Sequence, residues 1–172
     1  MRSRKSCNSI WASERRTVDH LKENIVFKHI FVPTDGSDLS RRCAAAAVAF
    51  AQGTGARITT FFARPEFPLD YYGETEIKDP ATAERFSALA EKQASEYLSD
   101  TERLCLAAGV PCSLVSAASD VPYEAIIEAA DRAGCDLIYM ASHGRRGISA
   151  ILLGSVTNKV LAHSKIPVLV WR

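Results

Sequence analysis

From Lys28 onward, short apolar runs alternate with stretches whose apolar residues recur at helical spacing. His29–Thr34 is an apolar run closed by Asp35-Gly36-Ser37, which predicts a strand followed by a turn. Ser37 or Asp38 is placed to cap the next helix, which carries Leu39, Cys43, Ala46, Ala47 and Phe50 on one face and stops near Gly53. Ile58–Phe62 is β-branched and aromatic, hence a second strand. A long helix follows, with Phe86, Leu89, Ala90, Ala94, Tyr97, Leu98, Leu104 and Cys105 on its apolar side, ended by Gly109 and Pro111. Cys112–Ser116 is a third strand. Asp120 is then placed to cap a helix with Pro122 early and Ile126, Ile127, Ala129 and Ala130 as its buried stripe, closed by Gly134. Asp136–Met140 is the fourth strand, a helix spans about Ser155 to His163, and Ile166–Trp171 is the last strand.

Five apolar strands joined by helical crossovers predict one doubly wound, mostly parallel sheet. In such sheets the ligand lies beyond the carboxyl ends of the strands, where strand order reverses. The loops of interest are therefore Thr34–Ser37, Ala63–Pro68, Ser116–Asp120 and Ala141–Ser155. The stretch from Arg64 to Pro80, rich in proline and bearing Tyr71 and Tyr72, is long for a connecting loop, and such loops are often functional. The two tyrosines either cover a ligand or belong to an ordinary amphipathic loop.

Composition narrows the class. Hydrophobic residues make up 47% of the 172, enough for one substantial core in a single domain. A net charge of +1 gives no field that points to nucleic acid, and no apolar run approaches the length of a membrane span. The cysteines Cys7, Cys43, Cys105, Cys112 and Cys135 are scattered, odd in number and without a C-x-x-C pair, which argues for reduced thiols in a cytoplasmic protein and against a disulfide framework or zinc site. Residues 1–26, basic and serine-bearing at the start, lack a secretory apolar core; they are expected to be a disordered extension or the product of a start assigned too far upstream.

Candidate chemistry concentrates after the fourth strand. In the segment from Ala141 to Thr157, Gly144 and Gly147 let backbone approach a ligand, and Gly154-Ser155 opens a helix whose free N–H groups form an anion site. One helix end contributes only about 0.3–1 kcal/mol toward a charge, so several donors must converge on a polyphosphate. The Ser155 and Thr157 hydroxyls, the Arg145 and Arg146 guanidiniums and His143 are further candidates. The bland alternative for these residues is a tight turn, a helix cap and a solvated loop face. Asp35 is placed to accept from a ribose hydroxyl, to sit near Mg²⁺, or to cap the following helix.

The run Phe27–Ser37, the segment from Ser142 to Ser155 and the closing Ile166-Pro167-Val168-Leu169-Val170 together resemble the universal stress protein family over about Phe27 to Arg172. The resemblance implies a Rossmann-like fold of the adenine nucleotide α-hydrolase type, with strand order 3-2-1-4-5, and frequent homodimers. The family's ATP-binding branch carries G-x2-G-x9-G-[S/T]; Gly144, Gly154 and Ser155 fit it, while Ala141 stands at the first glycine. By the same resemblance Pro33, Thr34 and Asp35 fall where base and ribose are contacted, and the Ala63 backbone falls at adenine. Met140 and Ala141 flank the nucleotide, and Gly144, Gly154, Ser155 and Val156 fall at the phosphates. The function implied is binding of ATP with Mg²⁺ in stress response, with occupancy altering a dimer or a partner. In that strand order the last strand is an edge, which predicts an antiparallel two-fold homodimer through Ile166–Trp171.

Other motifs are absent. There is no G-x-x-x-x-G-K-[S/T] P-loop and no G-x-S-x-G elbow, and the Gly36–Ser40 stretch lacks the second glycine of an ATP-pyrophosphatase loop. No positioned base or nucleophile is evident, so the chain is expected to be no enzyme beyond slow ATP hydrolysis. The competing expectation, favoured by Ala141, is a nucleotide-free dimeric interaction module. An adenylate-forming or ATP-cleaving enzyme is the third.

Overall fold

The computed structural model describes residues 27–67, 80–144 and 153–172. The predicted extension 1–26, the loop positions Tyr71 and Tyr72, and the candidates Arg145, Arg146 and Gly147 lie outside the described residues. The elements are β1 (His29–Pro33), α1 (Asp38–Thr54), β2 (Arg57–Arg64), α2 (Pro80–Ala108), β3 (Cys112–Ala118), α3 (Pro122–Ala133), β4 (Leu137–Ala141), α4 (Ser155–His163) and β5 (Val168–Trp171). The strands form one sheet in the order β3-β2-β1-β4-β5, and every described pairing is parallel.

The central strands are buried on both faces, which explains their continuous apolar runs. Ile30, Val32, Ile58, Leu137 and Tyr139 point into one core with Cys43, Ala44, Ala47 and Ala51 of α1. The alternate side chains Phe31, Phe61, Ile138 and Met140 point the other way, onto Ala125, Ile126, Ala129 and Ala130 of α3 and Val160 of α4. The Phe31 and Phe61 rings lie 5.4 Å apart within that second core. On β2, Phe62 packs with Ala94 and Leu98 of α2. One imidazole is also buried: His29 Nε2 lies 2.7 Å from Thr59 Oγ1, tying β1 to β2, and burial holds its pKa below the ordinary value.

Several sequence expectations are corrected here. Helix α1 ends at Thr54, near Gly53 as expected, although it is Gly55, at φ 72°, that takes the left-handed cap and returns its N–H to Ala51 O. Leu89 and Leu104 do not face the core, being 68% and 38% exposed. The buried stripe of α2 is Ala90, Ala94, Leu98, Thr101 and Cys105, and each of the two leucines precedes a stripe residue by one position, about 100° around the helix. Strand β3 continues past Ser116 to Ala118 because β2 also continues, with Ala63 paired to Ala117 and Arg64 to Ala118. Asp120 is not the cap of α3; Val121 holds that position without a side-chain bond. Asp120 Oδ1 instead accepts from Glu66 N at 3.0 Å, joining the turns after β2 and β3.

Candidate functional site

Strand order reverses between β1 and β4, and the chain after each strand turns to an opposite face of the sheet. A cavity of about 390 Å³ opens at their carboxyl ends. Its wall holds Pro33, Thr34, Asp35, Ala63, Met140, Ala141, His143, Gly144, Gly154, Ser155, Val156 and Thr157, so every described candidate is brought to one cleft. The candidates Arg145, Arg146 and Gly147 lie outside the described residues. Ser40, Phe61, Phe62, Pro122 and Ile126 also line it and were not singled out from sequence. Their signal was indirect: Phe61 and Phe62 end the second apolar run, Pro122 and Ile126 open the third helix, and Ser40 lies one turn into the first.

The floor nearest β1 is fixed by its own hydrogen bonds. Asp35 Oδ1 accepts from Ser37 N at 3.0 Å, and Gly36 N donates to Thr34 Oγ1 at 3.2 Å. Thr34 Oγ1 and Ser40 Oγ lie 3.1 Å apart. Ser37 is the N-cap of α1, with its Oγ accepting from Ser40 N at 3.2 Å, so the alternative of Asp35 as that cap is set aside. The carboxylate of Asp35 instead faces the loop after β4. A Cβ placed on Gly144 would collide with its Oδ2 and lie 3.2 Å from its Cγ. The two loops therefore meet because residue 144 has no side chain.

The opposite wall is the start of α4. Gly154 is its N-cap, and Asn158 N donates to Gly154 O at 2.9 Å to close the first turn. The N–H groups of Ser155, Val156 and Thr157 have no acceptor within the helix, and among the described residues no side chain caps them. Two expectations change in detail. The Gly154 N–H is not a free donor: it bonds Ser142 O at 2.8 Å. The Thr157 hydroxyl is not free either, since it donates to Ala141 O at 3.0 Å from a buried position. Gly154 contributes absence of bulk, as a Cβ there would lie 3.1 Å from His143 Cα. Ala141 ends β4 and is only 8% exposed, and His143 Nδ1 lies 3.1 Å from Ser142 Oγ.

The cleft thus combines an apolar end built from Phe61, Phe62, Ile126 and Met140 with a polar end built from helix amides and the single described carboxylate Asp35. An apolar slot suits a heteroaromatic base, and convergent N–H groups at the positive end of a helix dipole suit an anion. One carboxylate is too little for a protein-built Mg²⁺ cage, so a magnesium ion here would be held chiefly by ligand phosphates and water.

Fold and cleft define a doubly wound α/β protein with a ligand cleft at its topological switch point. The sequence profile of the Universal stress protein family matches residues 27–172, and the chain belongs to that family. It is 36% identical over 147 residues to a Thermus aquaticus protein described as "Universal stress protein in QAH/OAS sulfhydrylase 3'region", a match covering 86% of this chain and 100% of that one. Among solved structures it resembles the hypothetical protein MJ0577 of Methanocaldococcus jannaschii, with TM-score 0.65, 27% identity, and coverage of 83% and 94%. It also resembles a universal stress protein in complex with cAMP, with TM-score 0.62, 26% identity, and coverage of 85% and 97%.

Proposed function

We propose that this universal stress protein binds ATP together with Mg²⁺ and acts in the stress response by coupling nucleotide occupancy to a dimer or a partner. The observation that carries the reading is the start of α4, where three amides with no cap among the described residues line a cleft at which Gly144 and Gly154 present no side chain. The base would lie toward Phe61, Phe62 and the Ala63 backbone, the ribose toward Asp35, and the phosphates toward Ser155, Val156 and the Ser155 hydroxyl. His143 at the rim and Arg145 and Gly147 beyond it belong to the same phosphate end on this reading. The cAMP complex of a relative supports the adenine-nucleotide class. The nucleotide-free alternative rests on Ala141, which lines the cavity but is itself buried at the end of β4 in the core on the α1 side.

On this reading the protein is a binder rather than a fast enzyme. The described lining offers one carboxylate, engaged by Ser37 N–H, and one imidazole, engaged by Ser142. Neither is set as a general base, which leaves at most slow hydrolysis with magnesium polarising the phosphate. A cytoplasmic location fits this role. Among the described residues no helix is long and apolar enough to cross a membrane. Titration calorimetry with Mg-ATP is the test: saturable heat is expected, and none at millimolar nucleotide rejects the reading.

The dimer is proposed through β5. Val168–Trp171 forms one edge of the sheet and is half-buried throughout, leaving backbone donors and acceptors on its outer side. The Arg42 guanidinium of α1 lies 5.7 Å from the Trp171 ring centre, on the α1 side of the sheet. Two copies pairing β5 antiparallel about a two-fold axis would complete the ladder. Light scattering at micromolar protein should give twice the 18.8 kDa chain mass; a monomer mass overturns the pairing.

A further inference from the structure

Helices α1 and α2 pack side by side over one face of the sheet, and a second cavity of about 470 Å³ opens between them. Each helix turns one stripe toward it. Asp38, Arg41, Arg42 and Ala45 recur at i, i+3, i+4 and i+7 along α1. Tyr97, Asp100, Thr101 and Leu104 repeat that spacing along α2, with Arg103 beside them. The groove is distinct from the cleft at the strand ends. The turn Thr34–Gly36 stands between the two, with Thr34 in both walls and Gly36, backed by the Tyr97 ring, in this one.

The charges of this groove do not balance. Its walls hold the guanidiniums of Arg41, Arg42 and Arg103 against the carboxylates of Asp38 and Asp100. Each carboxylate is taken by an arginine of its own helix: Arg42 Nε lies 3.5 Å from Asp38 Oδ2, and Arg103 Nη2 donates to Asp100 Oδ1. Arg41 is exposed and has no ion pair among the described residues. Arg42 also lies beside the Trp171 ring, so its part is to neutralise Asp38 rather than to reach across the groove. The Arg103 side chain is 74% exposed, and an exposed pair of this kind is weak enough to yield to a more highly charged anion.

We propose that the groove between α1 and α2 is a second ligand site, which takes a small anion built on phosphate groups and grips it with Arg41 from one wall and Arg103 from the other. A guanidinium presents parallel N–H donors in one plane, which match two oxygens of a single phosphate. Two of them on facing helices supply spacing as well as charge, and so favour a ligand with two phosphate groups over a single one. The cavity has the size of an ordinary small-molecule pocket. A cation is disfavoured there, because both carboxylates are already engaged and the walls carry one positive charge in excess.

The test uses the full-length, isotope-labelled protein, titrated with inorganic pyrophosphate at constant ionic strength and followed by its backbone amide shifts. Saturable shifts are expected at Arg41, Ala45, Thr101 and Leu104. Arg41→Gln and Arg103→Gln, both at exposed helical positions, should each weaken binding by about 10- to 100-fold while the melting temperature is kept. Asp100→Asn should tighten it, because the change frees Arg103 and removes a negative charge facing the anion; a merely structural role for these side chains predicts no gain. The start of α4 is proposed above as an anion site of its own, so Gly154→Val should leave the groove shifts as they are. The proposal is overturned if the groove residues show no saturable shift at millimolar pyrophosphate, if Arg41→Gln binds as the wild type does, or if the shifts are confined to Ser155–Thr157 and vanish in Gly154→Val. ATP takes no part in these readouts, so failure of the groove and failure of the nucleotide reading are told apart.

Discussion

Gly154→Val is expected to weaken Mg-ATP binding by about 30- to 700-fold, roughly 2–4 kcal/mol, while the fold is retained. Gly154 has φ −61° and ψ 151°, extended backbone that valine adopts without strain. The effect is therefore one of bulk at the mouth of α4. A Cβ there lies 3.1 Å from His143 Cα and 3.4 Å from both His143 Cβ and Ser142 O, and valine adds two methyls beyond it. The Ser142 backbone cannot retreat, because its N–H bonds Trp171 O at 2.8 Å and its carbonyl holds Gly154 N. The displaced segment is then His143-Gly144, which would move into the space before the Ser155 and Val156 amides. Losing one or two charge-assisted hydrogen bonds to phosphate accounts for the stated range. Calorimetry with Mg-ATP, beside a circular-dichroism melt, checks both halves. A folded variant that binds as tightly as wild type would remove the start of α4 from the ligand site.

The fold was legible because two periodicities survive in the sequence. Buried parallel strands read as continuous apolar runs such as Ile58–Phe62, and the apolar face read for α1 holds Cys43 and Ala47 in the core with Leu39, Ala46 and Phe50 packed partly buried against it. What failed depends on neighbours distant in the chain. Strand β3 outlasts its apolar run because β2 offers partners as far as Arg64, and Asp120 leaves its helix for Glu66 N across 54 positions. In a 29-residue helix such as α2, a one-position error in phase exposes Leu89 without disturbing the pattern a reader sees.

The cleft divides in the same way. Residues at strand ends, such as Thr34, Ala63 and Gly144, follow from topology alone, since the carboxyl ends of a doubly wound sheet must share one opening. The use of each polar group does not. Sequence marks Thr157 and Gly154 as donors, but local geometry commits one to Ala141 O and the other to Ser142 O. Ser40 and Ile126 enter the wall from first helical turns, where a stripe pattern assigns them only to capping or core.

A second large effect is expected at Gly36, on stability. Gly36→Ala should lower unfolding free energy by about 2–5 kcal/mol, from about 1–2 for a left-handed non-glycine residue and about 1–3 for overpacking. Gly36 has φ 74°, and a Cβ there would collide with the Tyr97 ring, lying 2.6 Å from Cδ1. The ring cannot swing aside freely. It packs edge-on to Phe62 at 5.3 Å and 75°, and its hydroxyl accepts from Gln93 Nε2 at 3.1 Å. At about 2–4 °C per kcal/mol for a chain of this size, the melting temperature should fall by about 4–20 °C. Tyr97→Ala provides the control, because removing the ring clears the collision but not the backbone strain. In the double variant the overpacking share should disappear, so the two substitutions cost less together than separately, with a coupling of about 1–3 kcal/mol. Strict additivity would show that the ring does not confine the turn. Because Asp35 and Thr34 flank that turn, a real coupling means that α2, through Tyr97, holds the β1 side of the cleft in place.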